Sequence, residues 1–352
     1  MAIAPMGVGH ADPADVPADA WAVLDQGAKL APAELPDLER RLRTKPGDLR
    51  TRLLLVGYHG LVQGRVGGEA GPHGEPYDSL ILGLIEHHPR SILAGDVGML
   101  FSRRTFDRGA TLWLQLVKAY PNDAPILGNA GAFLTADILK ADYWERGRTL
   151  LVEARRREPR NPRWPWKLGF VARRDFIDAG NSADGRRQAA VEALAYWEEA
   201  TALADPVRDR WFPPRDAAAC QGFADAAWRA GDLPKAKRYA TEMLATAHAG
   251  DGNAIHDGHQ ILGLVALREG RIEDASGHLL ASGRTPGSPQ LGSFGPDMTL
   301  ASELLAKGRR EVVIEYLDLC EKFWKMSAGR IAEWKTAIRS GRVPDFGRHR
   351  RR

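Results

Sequence analysis

The chain has 352 residues, of which 44% are hydrophobic and 27% are charged, and its formal net charge is +4. These values are typical of a globular protein, so they argue against a disordered chain, and so small a net charge does not by itself indicate a nucleic-acid partner. The two cysteines, Cys220 and Cys320, lie in apolar helical patterns. Such a pair favours small buried side chains and a reducing compartment over a disulfide framework or a thiolate metal site.

The N-terminal segment, residues 1–34, is acidic and lacks both the basic start and the long apolar stretch of a secretory signal or a membrane anchor. No later stretch reaches the roughly 18 apolar residues that a membrane-spanning helix requires. We therefore expect a flexible acidic segment at the start of a soluble, cytoplasmic protein. Its charged residues are Asp12, Asp15, Asp19, Asp25 and Glu34, against Lys29.

From residue 35 onward, apolar residues recur at spacings of three and four, and glycine or proline separates the segments. This pattern predicts short amphipathic helices throughout. Three helices end at a glycine turn, at Gly231, Gly270 and Gly308, and these turns are 39 and 38 residues apart. The nearly constant spacing indicates a structural repeat.

A second helix follows each glycine turn and presents its inward residues at one fixed spacing, i, i+4 and i+7. A small residue where two helices cross lets the backbones approach, and the larger residue after it fills the space beside the crossing. The same spacing recurs upstream, so the sequence predicts six units. The six sets are Ala110, Leu114, Val117; Gly147, Leu151, Ala154; Ala193, Trp197, Ala200; Ala236, Ala240, Met243; Ala275, Leu279, Ser282; and Val313, Leu317, Cys320.

One helical pair cannot bury both of its apolar faces, whereas a row of stacked pairs gives each pair a neighbour. A period in the high thirties therefore predicts an all-α fold, specifically an α-solenoid of antiparallel helix hairpins.

The unit ILGLVA at 261–266, followed by Gly270, Ala275, Leu279 and Pro286, resembles the tetratricopeptide repeat, whose first helix holds a Leu-Gly pair. Further Leu-Gly pairs stand at 127–128 and 168–169. The units are longer than the roughly 34 residues usual in that family. For residues 35–338 the resemblance implies a right-handed superhelix that binds peptides or partner proteins on its concave side.

A polar stripe on the first helices is the candidate binding surface. In a tetratricopeptide-like stack this stripe lines the concave groove, where Arg229 and Arg268 would pair with a carboxylate such as a peptide terminus. The alternative is that these residues form an ordinary solvated helix face. The stripe comprises Gln221, Asp225 and Arg229 in one unit, and Asp257, Gln260, Leu264 and Arg268 in the next.

The segment 283–296 is rich in glycine and proline and falls between two units, so it is predicted to be a connector. It has neither the lysine nor the preceding strand that a phosphate-binding loop needs. Because it is longer than a normal helix connection, a second interpretation is that Phe294 and Leu291 fold into the groove and shape a site.

Two histidines, His256 and His259, lie three apart at a predicted helix start, a spacing that places two imidazoles on one face for zinc. No third ligand is near them in sequence, which favours core or capping histidines. No nucleophile elbow, His-Glu-x-x-His helix or Cys-x-x-Cys pair appears. We therefore expect no cofactor and no catalytic residues.

The C-terminal segment, residues 339–352, is strongly basic and is expected to be a solvated tail, with an acidic partner or an RNA backbone as the alternative. The leading hypothesis is a non-enzymatic helical-repeat scaffold that binds a peptide or partner protein in its groove, with no membrane and no nucleic-acid partner. The rival is an enzyme or a metal-dependent modifier on the same helices, centred on His256, His259 or the 283–296 segment.

Overall fold

A computed structural model describes residues 20–62, 75–96, 103–136, 141–177, 182–206, 209, 212 and 216–349. Within these residues every regular element is helical. The α-helices are α1 (Ala20–Gly27), α2 (Leu35–Thr44), α3 (Leu49–Gly57), α4 (Glu75–His87), α5 (Ile92–Asp96), α6 (Arg103–Ala119), α7 (Ala124–Leu134), α8 (Ala141–Arg157), α9 (Arg163–Ile177), α10 (Ala183–Leu203), α11 (Ala217–Ala230), α12 (Leu233–Thr246), α13 (Gly252–Arg268), α14 (Ile272–Gly283), α15 (Pro289–Phe294), α16 (Thr299–Ala306), α17 (Arg310–Phe323) and α18 (Arg330–Arg339).

The chain folds into two units, residues 1–168 with 200–204, and residues 169–199 with 205–352. In the first unit α3 packs against α1, α2 and α4, and the sequence of contacts then runs from α4 to α6, from α6 to α7 and from α7 to α8. Its core includes Trp113 and Phe133, and the Phe133 ring stacks on Phe106 with 4.9 Å between centroids.

In the second unit α11, α12, α13 and α14 pack in chain order, and α14 then contacts α16 and α17, which also pack together. Leu264, Leu279, Leu300 and Leu317, one from each of α13, α14, α16 and α17, are fully buried in one core. Each hairpin thus buries the apolar side of its neighbour along the chain, which confirms the predicted all-α solenoid fold class.

The inward spacing of the second helices is confirmed in five of the six predicted sets, whose members are all buried. In the remaining set, on α6, Ala110 is buried but Leu114 and Val117 are only half-buried, and Trp113 fills the core instead. The larger indole shifts the inward side of the helix by one residue.

The three predicted glycine turns are present in the structure. Gly231, Gly270 and Gly308 have φ values of 81°, 78° and 79°, in the left-handed region that favours glycine. The backbone turns sharply there because no Cβ opposes that conformation.

Helical structure begins before residue 35, the predicted start of the helical-repeat domain. Residues 1–19 lie outside the described part of the chain, but α1 is helical, and Val23 in it is fully buried. Helix α1 approaches α3 so closely that a Cβ on Gly27 would lie 2.1 Å from the carbonyl oxygen of Leu54. The apolar run after Asp19 therefore belongs to the core rather than to a flexible segment.

The C-terminal segment also departs from the expectation of a solvated tail, at least through residue 349. Phe346 and His349 are buried against Trp324 and Trp334, with 5.0 Å between the Trp334 and Phe346 rings. The amide N–H of Met298 donates a hydrogen bond of 2.6 Å to the His349 carbonyl oxygen. These contacts bring Phe346 into the same core as Trp324 and Trp334.

Close helix crossing should make Gly147 intolerant of even one methyl group. A Cβ there would lie 2.8 Å from the Gly131 carbonyl oxygen on the facing helix. We expect Gly147→Ala to lower the free energy of unfolding by about 1–3 kcal/mol, measured by urea denaturation followed by circular dichroism.

The matched control is Gly277→Ala, at an exposed position within α14 where a new Cβ meets no atom within 4 Å. Because alanine favours a helix over glycine, this variant should be stabilised by about 0.5–1 kcal/mol. Effects of the same sign in both variants would contradict the close-crossing explanation.

Candidate functional site

The predicted polar stripe lies on α11 and α13, the first helices of two successive hairpins, and most of its members bond to each other. The Gln221 amide donates a hydrogen bond to the Asp257 carboxylate and so links the two helices. Asp225 and Arg229 form an ion pair of 3.2 Å within α11, and both side chains are only 15% exposed. The guanidinium of Arg229 also lies 5.4 Å from the centre of the Phe176 ring.

Arg268 is the most accessible cation of the stripe. Its guanidinium donates two hydrogen bonds, of 2.6 and 3.1 Å, to the Glu303 carboxylate on α16. It also lies 5.2 Å from the Trp228 ring centre on α11, while 48% of its side chain stays exposed. Arg268 therefore joins three successive first helices in one cluster of a half-buried aromatic, an exposed cation and a half-buried carboxylate.

Two predicted stripe residues do not belong to this surface. Leu264 and Gln260 have no exposed area, so a partner molecule cannot reach them. The Gln260 amide nitrogen donates to the Ser282 hydroxyl oxygen at 3.0 Å and to the Tyr316 hydroxyl at 3.2 Å. This part of the helix faces inward because α13 packs tightly against α14 and α16. Residue spacing within one helix does not reveal such contacts with other helices.

His256 is part of the same buried polar network and is not free to act as a ligand or a base. The Asp297 amide N–H donates to its Nε2 at 3.2 Å. Its Nδ1, which must then carry the proton, lies 3.2 Å from the Ser282 carbonyl oxygen and donates to it. The alternative of one metal site shared by His256 and His259 is therefore ruled out, because both His256 nitrogens are already hydrogen-bonded, as the favoured interpretation of a core histidine predicts.

The 283–296 segment is a connector that packs against the start of α13. The Thr285 hydroxyl donates to the Gly252 carbonyl oxygen at 2.7 Å, and the Ser288 hydroxyl donates to the Asn253 side chain at 2.6 Å. The same Ser288 oxygen caps the short helix α15, which the proline-rich sequence did not predict. Leu291 enters the core, whereas Phe294 remains 69% exposed.

His259 has a partner that the sequence did not suggest. Its Nδ1 lies 3.1 Å from Nδ1 of His278 on α14, and both rings are half-buried. Burial, and after it the neighbouring His278 and His256, lower the pKa of His259 to about 4. Burial likewise lowers the pKa of His278. Both imidazoles are therefore neutral at pH 7.

Both cysteines are reduced and buried, as their apolar sequence context predicts. Burial raises the pKa of the Cys320 thiol, so this sulfur remains a protonated core side chain.

Sequence reasoning missed a second polar cluster, in the first unit. Arg163 is buried, and its guanidinium donates hydrogen bonds to the Ile92 carbonyl oxygen at 2.8 Å and to the Asp96 carboxylate at 3.1 Å. Lys167 contacts the same Asp96 oxygen at 2.6 Å. Burial opposes the charge of Asp96, but Arg163 and Lys167 outweigh burial and lower its pKa. The sequence feature that could have indicated this cluster is the pair Arg163 and Lys167, which lie four residues apart on one helix, beside Trp164.

Within the described ranges, no group of three or more His, Cys, Asp or Glu side chains is placed to hold a metal ion. Among the helices that the structure describes, none is both long enough and apolar enough to span a bilayer.

No family model matches the chain, and no curated protein matches its sequence. Among solved structures, the chain is similar to a human IFIT1 dimer with m7Gppp-AAAA, at 15% identity and a TM-score of 0.47, over 92% of this chain and 71% of that chain. At these values the similarity supports no conclusion about ligand or function.

The buried network makes His256 a structural residue, and we expect His256→Ala to lower the free energy of unfolding by about 2–4 kcal/mol. The loss combines the unpaired Asp297 N–H and Ser282 carbonyl with a cavity. His248→Ala, at an exposed histidine after α12, should change stability by less than about 0.5 kcal/mol. Equal effects in urea denaturation of the two variants would contradict this role.

Proposed function

We propose that this protein is a helical-repeat scaffold that binds a peptide segment or a partner protein along the first-helix face of α11, α13 and α16. The observation that supports this function is the cluster of half-buried Trp228, exposed Arg268 and half-buried Glu303, which spans three successive hairpins. Aromatic and arginine side chains are the residue types that most often dominate binding energy at protein interfaces.

The charges of this face constrain the partner. Arg229 and Arg268 each face an internal carboxylate, Asp225 and Glu303. An incoming carboxylate at Arg268 must therefore compete with Glu303 at close range, which lowers the affinity below that of an unpaired arginine. A partner that places an apolar or aromatic side chain on Trp228 and an acidic group beside Arg268 gains from both features.

Phe294 marks the other end of the candidate surface. It follows a connector that packs against Gly252 and Asn253 at the start of α13, whereas Arg268 is the last residue of that helix. This helix has 17 residues, so its ends lie roughly 24 Å apart along the helix axis. A single extended segment that follows the whole of α13 needs about eight residues.

Arg268→Glu should abolish most of this binding because it reverses the charge and repels Glu303. Displayed random 12-residue peptides are selected on the wild-type chain, and the affinity of an enriched peptide is measured by titration calorimetry. We expect the variant to bind at least about tenfold more weakly, a loss of about 1.4 kcal/mol.

Arg284→Glu serves as the matched control, since this arginine is 62% exposed and its ion pair with Glu315 is long, at 4.0 Å. It should retain the wild-type affinity within about twofold. Absence of enriched peptides, or equal weakening by the two charge reversals, would argue against binding at the Trp228, Arg268 and Glu303 cluster.

A further inference from the structure

His259 and His278 face each other across the two helices of one hairpin, α13 and α14. Their Nδ1 atoms are 3.1 Å apart, and their ring planes are inclined by 36° with 5.4 Å between centroids. When both rings are neutral, one Nδ1–H donates to the other ring, and the shared proton lies between two converging lone pairs. A metal ion bound by both imidazoles replaces this hydrogen bond and lies to one side of the line between the two nitrogens, at bonding distance from each.

We propose that His259 and His278 form a two-histidine binding site for a divalent transition-metal ion such as Cu²⁺, Ni²⁺ or Zn²⁺. Imidazole nitrogens bind Zn²⁺ at about 2.0–2.1 Å. An ion equidistant from two nitrogens 3.1 Å apart then has an N–metal–N angle of roughly 100°. This angle lies between the square-planar and tetrahedral values, so the two side chains need little movement to chelate the ion.

The neighbouring groups define an open site. His256 contributes no ligand, because its two nitrogens are bonded to Ser282 and Asp297. Asp274, one turn before His278, is paired with Arg271. No third side chain of the described residues completes a cluster. Water or a donor from a bound partner therefore fills the remaining coordination positions, and the half-buried rings leave room for it.

Metal binding and proton binding compete for the same nitrogen atoms. Ion binding moves the Nδ1 proton of the donating ring to its own Nε2 through solvent, so both neutral rings then carry their single proton on Nε2 and no net proton is released. Because His259 and His278 belong to opposite helices, a bound ion cross-links the hairpin and stabilises the native state.

The direct test uses the full chain without an affinity tag, first stripped of metal by a chelator and then titrated with CuCl₂, NiCl₂ or ZnCl₂ in a calorimeter. We expect one ion per chain, with Cu²⁺ bound more tightly than Ni²⁺ or Zn²⁺. His278→Gln, which keeps a hydrogen-bonding side chain but removes the chelate, should weaken this binding at least about tenfold. His248→Gln should bind like the wild type.

Thermal unfolding supplies a second readout. The melting temperature should rise with metal concentration in the wild type and in His248→Gln, but not in His278→Gln. His278→Cys restores a metal ligand and should recover zinc binding. Failure of the wild type to bind, or equal binding by His278→Gln, would overturn the site. Peptide binding at Arg268 involves other residues, so its presence or absence does not bear on this result.

Discussion

Close contact between neighbouring hairpins is the constraint on which the rest of this structure depends. Each second helix presents small residues at the crossing and larger apolar residues beside it, so the backbones approach and exclude water. Ala236, Ala240 and Met243 on α12, and Ala275 and Leu279 on α14, are fully buried for this reason. Because each apolar side is covered only by the next hairpin, the chain must stack in sequence order, and the first-helix side is left to carry polar residues.

The sequence allowed the fold and the second-helix core to be predicted because both depend on spacing within one helix. It did not allow the contacts between helices to be predicted, since these depend on which residues meet after stacking. Gln260 was placed on an open stripe, yet it is buried against Ser282 and Tyr316, 22 and 56 residues later. His259 was grouped with His256, one turn away, but its ring meets His278 on the opposite helix, 19 residues on. The same limit explains why Arg268 was expected to pair with a carboxylate of a binding partner, whereas in the structure it pairs with Glu303.

These pairings change the electrostatic character of the first-helix face. Arg229 and Arg268 are each matched by a carboxylate of the same unit, Asp225 and Glu303. The face is therefore a series of internal ion pairs rather than a positively charged surface. Long-range attraction of an anionic partner is weak in such an arrangement, and specificity depends on direct contacts at the exposed pair, where Trp228 provides the adjoining apolar area.

The long connector shows how a repeat can exceed the usual length without losing its register. A connector as long as residues 283–296 carries an entropic penalty that grows only slowly with length, but by itself it would let the next hairpin shift its position. The buried network prevents this, because His256, Gln260 and Tyr316 satisfy their hydrogen bonds to Ser282 and Asp297 in one register only. A shifted hairpin would leave several buried polar groups unpaired, at about 1–3 kcal/mol each. The same fixed register holds α13 against α14, and with it the spacing of His259 and His278, and it keeps Arg268 within reach of both Trp228 and Glu303.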